Sequence, residues 1–385
     1  MPNALLKVRR STEMTRYKSQ KFRILFLSYH DISIYYTRLE TITAFLDLGY
    51  EVIISTPYGS RIENLKALGC FYVETEFNNR GKSVKDDLTL ISHYRKVMRE
   101  IKPDVVLTYM IKPNIYGGIA ASKENIPVIA NITGLGKVTN KDLMQKVIVG
   151  LYRTALKRVF CLFFQNEENL KIFKKKRIAL GCEKKVLPGS GVNLKKFKAL
   201  PFPEDERVLF VFVARVMKDK GIDHYLEAAR IIRSKYERSE FHICGPCEES
   251  YEEILNEHQE TGTIIYHGMV EDIREIFQDV HCTIHPSYHE GLSNVLLESA
   301  ASSRPVIATN VSGCKEVVDD GITGFLVESK STESLIMGIE KFLCLSYEER
   351  KRMGEKGRLK VEREFNRQIV VDAYLEVVDS IKMRR

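Results

Sequence analysis

The sequence lacks a long hydrophobic segment. No apolar run reaches the roughly 18 residues that a membrane-spanning helix needs. Residues 1–20 are polar and carry five Lys or Arg, without the apolar core of a secretory signal peptide. The eight cysteines are scattered through apolar segments and do not form the framework of a disulfide-rich secreted domain. We therefore expect a cytosolic protein without disulfides.

The usual patterns for holding a metal ion are also missing. The chain contains no Asp-x-Asp pair, so a diphosphate bridged to the protein by magnesium has no support. None of the nine histidines belongs to a cluster with metal-ligand spacing. His30, His285 and His289 lie near the motifs described below, but each is interpreted as a packing or surface residue. We expect a site that needs neither a metal nor another cofactor.

Negative charge is scarce in the first half of the chain. The 385 residues carry a net charge of +8, but residues 1–200 hold 35 Lys/Arg against 17 Asp/Glu, whereas residues 201–385 hold 24 against 34. A chain of this length is longer than a single hydrophobic core usually organises, so two domains are expected. The opposite charges predict that the two halves meet different partners.

Short apolar strands alternating with amphipathic helices fill most of the chain. This alternation predicts parallel sheets covered by helices on both faces. The predicted fold class is α/β, with two Rossmann-like, doubly wound domains facing a cleft. Predicted strands lie at 23–27, 51–55, 71–73, 104–107, 128–132, 162–164, 208–213, 240–244, 263–266, 282–285 and 306–307. The predicted division is a basic tail (1–20), a first domain (21–190), a linker (191–205), a second domain (206–365) and a terminal helix (366–385).

The most informative stretch is 285–326. An apolar strand ends at His285, Ser293 can cap a new helix, and Glu290 and Glu298 bracket the turn. In an open parallel sheet, ligands bind where the carboxyl end of a strand faces a helix N-terminus, whose free N–H groups favour an anion. Two carboxylates there can accept hydrogen bonds from sugar hydroxyls, whereas they would repel a phosphate. The pattern predicts a nucleotide-sugar site.

Two cations stand at the start of the second domain. Arg215 follows the strand at 208–213, and Lys220 stands where the next helix begins. The guanidinium offers a fork to phosphate oxygens and the ammonium a point charge. Together they predict an anion clamp for a diphosphate.

The sequence Cys244-Gly245-Pro246-Cys247 follows a strand and opens a helix. This setting is typical of a thioredoxin redox pair. Thioredoxin-like domains are small and have a single sheet, whereas this motif lies in the middle of a second doubly wound unit. We therefore do not assign it a redox role.

A candidate site in the first domain rests on a lysine and several glycines. Gly134 and Gly136 form a partial dinucleotide fingerprint without its third small residue, which is weak support for NAD binding. Lys112, at a strand end opposite glycine N–H groups, can bind an acceptor phosphate. The glycines can equally serve only tight turns.

The context of the two glutamates resembles the donor site of the retaining family 4 glycosyltransferases with the two-domain GT-B fold. The matching features are the Glu290-x7-Glu298 spacing, the Glu290-Gly291 step, Gly313, Glu316 and the DGITGF sequence at 320–325. The segments 112–118 and 131–136 resemble bacterial enzymes that build capsules or extend polyprenyl-diphosphate-linked glycans. These include the type that transfers N-acetylgalactosamine to diacetylbacillosaminyl-diphospho-undecaprenol.

The resemblance implies a role for each site residue. Glu290 would contact the transferred sugar, Glu298 the ribose, and Arg215 with Lys220 the diphosphate, in a retaining transfer from a UDP-sugar without a metal. It implies further donor contacts at Gly291, Leu292, Ser293, Asn294, Gly245 and Met269, and a last helix that crosses back onto the first domain. The Gly-Gly pair common in the first strand–helix loop of this family is absent from this chain, so Ser33 or Arg38 is expected to take its place at the acceptor. An NAD-linked sugar-nucleotide oxidoreductase and a noncatalytic nucleotide-sugar-binding protein are the alternatives.

Basic residues are concentrated in 151–200, with 13 Lys/Arg against 3 Asp/Glu. Arg153, Lys157 and Arg158 share a predicted helix with apolar Val147, Leu151 and Leu156, and residues 174–177 are all basic. A basic helix with an apolar stripe predicts peripheral binding to an anionic cytoplasmic membrane face, where a lipid-linked glycan acceptor resides. The alternatives are a solvated charged face, or nucleic-acid binding, for which no recognition motif is present.

Overall fold

The first half of the chain forms a seven-stranded parallel sheet. The computed structural model describes residues 21–75, 84–132, 142–247 and 251–384. The strands are β1 (Arg23–Leu27), β2 (Glu51–Thr56), β3 (Phe71–Glu74), β4 (Val105–Tyr109), β5 (Val128–Ile132), β6 (Cys161–Phe164) and β7 (Glu183–Val186), in the order β3-β2-β1-β4-β5-β6-β7. The helices are α1 (Asp31–Asp47), α2 (Ile62–Ala67), α3 (Val84–Ile101), a π-helical turn (Pro113–Gly117), α4 (Gly118–Lys123), α5 (Asp142–Ala155) and α6 (Glu167–Lys175).

The second half forms a six-stranded parallel sheet. Its strands are β8 (Val208–Val213), β9 (Ser239–Cys244), β10 (Ile265–Tyr266), β11 (Cys282–His285), β12 (Val306–Thr309) and β13 (Gly324–Val327), in the order β10-β9-β8-β11-β12-β13. A 3₁₀ turn (Lys218–Lys220) precedes α7 (Ile222–Lys235), followed by α8 (Glu252–Glu260), α9 (Ile273–Asp279), α10 (Asn294–Ala301), α11 (Thr332–Leu343), α12 (Tyr347–Glu364) and α13 (Arg367–Met383). The two sheets confirm the predicted α/β class.

Each sheet is buried on both faces, which explains why its strands are apolar almost throughout. In β1, Leu25 and Leu27 face one hydrophobic core while Ile24 and Phe26 face the other, as the two-residue period of a strand requires. The ligand-binding edges of such sheets are the carboxyl ends of the strands.

The last helix, α13, belongs to the core of the first sheet although it follows the second in sequence. Val370, Tyr374 and Val378 are buried among residues of β1, β2 and α1. The Tyr374 hydroxyl donates a hydrogen bond to Asn131 Oδ1 at the end of β5. The terminal helix therefore ties the end of the chain to the first sheet.

Several predicted boundaries differ from those observed. The strand predicted at 263–266 spans only Ile265–Tyr266, and the helix after β4 begins as a π-helical turn. Neither β7 nor β13 was predicted. The sequence of β7, EKKV, is mostly charged, and pairing with β6 makes it a strand. Pairing of this kind depends on distant parts of the chain, so local pattern does not predict it.

Candidate active site

Strand β11 and helix α10 hold the turn that carries the two glutamates. β11 ends at the buried His285, and Ser293 caps α10 by accepting a hydrogen bond from the Leu296 N–H at 3.5 Å. Leu296 is fully buried and fixes the helix on the sheet. The loop between them therefore lies at the carboxyl edge of the second sheet, beside the N-terminus of α10.

Glu290 is the electrostatic centre of this loop. Lys220 Nζ lies 2.5 Å from Glu290 Oε1, and His285 Nε2 lies 3.0 Å from the same oxygen. Burial opposes ionisation of Glu290, but the hydrogen bond from His285 and the charge of Lys220 outweigh it and hold the pKa of this carboxyl well below its usual range. Glu290 is therefore an anion held in place by two donors.

His285 is a site residue that the sequence-based interpretation missed. Its Nε2 also lies 3.2 Å from the hydroxyl of Ser293, while its buried Nδ1 has no hydrogen-bond partner in the described part of the chain. Because a carboxylate can only accept, Nε2 must carry the proton that bonds to Glu290. The sequence feature that could have identified His285 as a site residue is its position at a strand end, five residues before Glu290.

Glu298 lies in a different environment from Glu290. Its side chain is half-buried on α10, and no described residue donates a hydrogen bond to it. Burial raises the pKa of Glu298 to about 7, against the opposing charges of Arg367 and Lys196. A carboxylate without a partner can accept two hydroxyl hydrogen bonds from a ligand.

Among the predicted donor-binding residues between the glutamates, backbone N–H groups are the ones that can bind a ligand. The side chains of Leu292 and Ser293 are buried, while Gly291 and Asn294 are half-buried. The N–H groups of Gly291 and Leu292 have no hydrogen-bond acceptor among the residues that the structure describes. Free N–H groups ahead of a helix form an anion site.

The predicted pair of diphosphate-binding cations is arranged differently from the expectation. Arg215 is exposed on the loop after β8. Lys220, at the end of the 3₁₀ turn, is paired with Glu290 and partly buried. The predicted clamp thus consists of one exposed arginine and one lysine that also contacts a carboxylate, and its binding of a diphosphate stays a prediction.

The turn after β9 is built around Gly245. A Cβ at this position would lie 1.9 Å from the carbonyl oxygen of Ala214, so only glycine fits. Burial raises the pKa of the Cys244 thiol to about 12 and raises that of Cys247 as well. A redox pair needs the opposite shift. Met269, another predicted donor contact, is largely exposed on a neighbouring loop.

Lys112 lies at the carboxyl end of β4, as predicted. Its backbone N–H donates to the hydroxyl of Tyr29 at 3.1 Å, and its Nζ lies 3.8 Å from Asp87 Oδ1. Half-buried Ser33 stands in the first turn of α1. Both lie at the carboxyl edge of the first sheet, and their contact with an acceptor stays a prediction.

The structure contradicts the role predicted for Arg38. Its guanidinium is buried between the rings of Tyr109 and Tyr374, at 5.2 and 5.7 Å from their centroids, and its Nη1 donates to the Thr37 carbonyl. Arg38 supports α13 and does not face an acceptor. The partial fingerprint of Gly134 and Gly136, like the tail at 1–20, lies outside the described residues.

The two sheets are joined by side chains that sequence patterns did not single out. Arg367 Nη1 and Asn193 Nδ2 contact the two carboxylate oxygens of Glu40 on α1, at 2.8 and 2.7 Å. Asn166, after β6, donates a hydrogen bond to the carbonyl of Gly291 at 2.7 Å. The loop between β11 and α10 therefore contacts the first domain directly.

The basic surface predicted to bind a membrane is only partly as expected. Arg153, Lys157 and Arg158 are exposed. Of the apolar residues assigned to the same surface, however, Leu156 is buried in the first core, where Leu151 packs against it. Val147, the third apolar residue of the predicted stripe, is exposed. The predicted stripe therefore faces outward only at Val147, because Leu151 and Leu156 pack on the first core. No described helix is both long and apolar enough to cross a membrane.

Within the described ranges, no group of three or more His, Cys, Asp or Glu side chains is placed to hold a metal ion.

Two protein-family descriptions match the chain. Residues 23–166 match the family described as glycosyl transferase 4-like, and residues 193–360 match the one described as glycosyl transferases group 1. The two matches together span most of the chain.

Known proteins with the same overall length are similar to it. The N,N'-diacetylbacillosaminyl-diphospho-undecaprenol α-1,3-N-acetylgalactosaminyltransferase of Campylobacter jejuni is 26% identical over 381 residues, covering 93% of this chain and 99% of that protein. The UDP-Gal:α-D-GlcNAc-diphosphoundecaprenol α-1,3-galactosyltransferase of Escherichia coli is 28% identical over 286 residues, covering 69% and 72%.

Solved structures share the fold. A glycosyltransferase from Rickettsia africae superposes with a TM-score of 0.77 at 20% identity, covering 94% of this chain and 99% of that one. Anabaena HepE, in complex with UDP and glucose, superposes with a TM-score of 0.76 at 15% identity, covering 93% and 100%. These likenesses show the two-domain GT-B architecture.

Proposed function

Because this chain belongs to the family 4-like glycosyltransferases of the GT-B fold, we propose that it moves a hexose or an N-acetylhexosamine from a UDP-sugar to a polyprenyl-diphosphate-linked glycan. The transfer proceeds with retention and without a metal. The observation that carries this proposal is the contact between Glu290 and Lys220 beside the open N-terminus of α10. The proposal gives Glu290 to the sugar hydroxyls and Lys220 to the leaving diphosphate, and the two side chains lie within one hydrogen bond of each other.

Lys220 can serve both groups at once. An ammonium has three donors, so it can hold Glu290 and a phosphate oxygen together. As the bond between the sugar and the diphosphate breaks, negative charge builds on the diphosphate, and Lys220, Arg215 and the free N–H groups of Gly291 and Leu292 stabilise it. Pre-placed donors of this kind supply what a metal supplies elsewhere.

Glu290 and Glu298 position the donor. Glu290 is anionic and held by His285, so it accepts hydrogen bonds from the hydroxyls of the transferred sugar. Glu298, on α10, accepts hydrogen bonds from the hydroxyls of the ribose. Retention follows if the acceptor hydroxyl attacks from the face that the diphosphate leaves, with the departing oxygen taking its proton.

The acceptor is proposed from the first domain and from the relatives. Lys112 and Ser33 lie at the carboxyl edge of the first sheet, where a phosphate of the carrier lipid can bind. The Campylobacter and E. coli relatives are both named for undecaprenol-linked diphosphate substrates. The proposal also gives the exposed basic residues of α5 and α6 the role of attracting the protein to the anionic inner face of the membrane by charge.

Turnover with a panel of UDP-hexoses and UDP-N-acetylhexosamines, with a polyprenyl-diphosphate glycan as acceptor, tests the proposal. Mass spectrometry identifies the added sugar, and NMR of the new anomeric proton reports retention or inversion. EDTA is expected to cost little activity. Complete loss of activity in EDTA that magnesium restores would refute the metal-independent mechanism, and reduction of NAD without sugar transfer would favour the oxidoreductase.

A further inference from the structure

We propose that Asn166 of the first domain is a positioning residue for the donor loop of the second domain, which is defined here as residues 290–293. The inference rests on the proposed function, because it assigns that loop to donor binding. Asn166 stands two residues after β6, is 3% exposed, and contacts the loop across the cleft between the two sheets.

The side chain of Asn166 makes two bonds of opposite kind. Its Oδ1 accepts from the Asn169 N–H at 2.9 Å, which caps α6. Its Nδ2 donates to the Gly291 carbonyl at 2.7 Å. The partners fix the orientation of the amide, because a backbone N–H needs an acceptor and a carbonyl needs a donor. One rigid helix end thus sets the direction of the Gly291 carbonyl.

The direction of that carbonyl decides where the next N–H points. The peptide between Gly291 and Leu292 is trans and planar, so its N–H lies opposite its C=O. With the carbonyl held toward Asn166, the Leu292 N–H faces the other way. That N–H has no acceptor among the described residues and precedes the cap of α10. Asn166 therefore orients a donor that is free to bind an anion.

A second contact holds the same loop from the first domain. A Cβ added at Gly189, where φ is +59°, would lie 2.6 Å from Leu292 Cδ2. Leu292 thus packs directly on the Gly189 backbone, and the loop is held by a polar bond and by an apolar contact. Separating the two sheets would break both. Donor binding and closure of the cleft are therefore coupled, since each favours the same loop conformation.

Two substitutions separate the bond to Gly291 from the cap of α6. Asn166→Ser and Asn166→Asp both keep an oxygen that caps a helix well, but neither can donate to the Gly291 carbonyl as the amide does. We expect thermal unfolding close to wild type. We expect kcat/KM for the donor to fall by about three- to tenfold, the amount a single hydrogen bond is worth, with the larger loss in Asn166→Asp, whose carboxylate faces the carbonyl.

The control removes a cap elsewhere. Ser331 caps α11 by accepting from Ser334 N–H. Ser331→Ala is expected to lower stability and to leave kcat/KM for the donor unchanged. If Asn166→Ser matched wild type in kcat/KM while only Asn166→Asp lost activity, the introduced charge and not the missing bond would be responsible, and the positioning role would be wrong.

Hydrogen exchange of the free protein gives a readout that does not depend on transfer. The peptide covering residues 286–295 is expected to exchange faster in Asn166→Ser than in wild type or Ser331→Ala. Unchanged exchange there overturns the inference. If Asn166→Ser exchanged faster but the wild-type protein neither bound nor transferred a UDP-sugar, the contact would be upheld and the proposed function refuted.

Discussion

At the scale of single residues, the site separates two identical side chains by environment. Glu290 is stabilised as an anion by Lys220 and His285, whereas Glu298 has no donor among the residues that the structure describes, and burial raises its pKa to about 7. Two carboxyl groups whose pKa values are shifted in opposite directions can take different roles in a site. Glu290 is permanently charged at neutral pH, and the charge of Glu298 depends on pH.

Donor affinity is expected to rise with pH because of Glu298. The hydroxyls of a ribose prefer the ionised carboxylate, so the donor binds the deprotonated protein more tightly and lowers the pKa of Glu298. As pH falls through about 7, the free protein takes up a proton and affinity declines. Calorimetry with a UDP-sugar in buffers of different ionisation enthalpy should detect proton release. Glu298→Gln should abolish this dependence, and a wild-type affinity that is flat across pH 7 would contradict the role.

Glu290 and Lys220 are expected to act as one unit. Glu290→Gln and Lys220→Met should each lower turnover by about 10²-fold, because a preplaced charge is lost from the site. The double variant should lose far less than the product of the two effects, since each single change already disrupts the pair. Steady-state kinetics of the four proteins measures this. Arg215→Ala is the comparison, and its loss should multiply with that of Lys220→Met if the two cations bind the diphosphate independently.

At the scale of elements, the site depends on one local unit and one distant one. β11, its loop and α10 are consecutive in sequence, and burial of Leu296 and Leu297 fixes their arrangement. By contrast, α13 reaches across the chain to cover the first core. Its polar anchor is the bond from the Tyr374 hydroxyl to Asn131, at the carboxyl end of β5.

Tyr374→Phe should destabilise the protein by about 1 kcal/mol, because it leaves the buried Asn131 Oδ1 without this donor. Tyr94→Phe is the matched control. Tyr94 is also fully buried, but its hydroxyl has no partner among the described residues. Removing it should be neutral or slightly stabilising. Denaturant unfolding of both variants decides, and equal effects would mean that the bond from α13 contributes nothing measurable.

At the scale of the whole molecule, charge is divided between the two halves of the chain. Positive residues dominate 1–200 and negative residues dominate 201–385. Because Leu151 and Leu156 pack inward and only Val147 of the predicted stripe is exposed, attraction to a membrane would rest mainly on charge, which salt screens. This differs from insertion of an apolar stripe, which salt would leave intact.

Liposome flotation should show binding to vesicles that contain anionic lipid and little binding to neutral ones. Each basic residue near such a surface contributes on the order of 1 kcal/mol. Neutralising Lys174, Lys175, Lys176 and Arg177 should therefore weaken binding markedly, as should about 0.5 M salt. Neutralising four basic residues of the second domain, Lys330, Lys341, Arg352 and Lys356, is the control. Equal recovery on both vesicle types would leave the membrane proposal without support.

The sequence alone determined the class of fold and the location of the candidate site. Alternating strands and helices are local patterns, and so is the step from β11 to α10 that brackets Glu290 and Glu298. Spacing within a few turns of chain is enough to place such residues on the same edge of a sheet. For the same reason, the sequence identified Lys112 and Lys220 as residues at strand and helix ends.

Only the tertiary structure decided which of these groups meet. It paired Lys220 with Glu290, added His285 to the pair, and buried Arg38 under α13. It also brought Asn166 to Gly291, 125 positions further along the chain. Such contacts depend on how two separately formed sheets pack and on where the last helix returns. Local propensity and periodicity carry no information about distances between residues that are remote in sequence, so the pairing of charges had to come from the folded molecule.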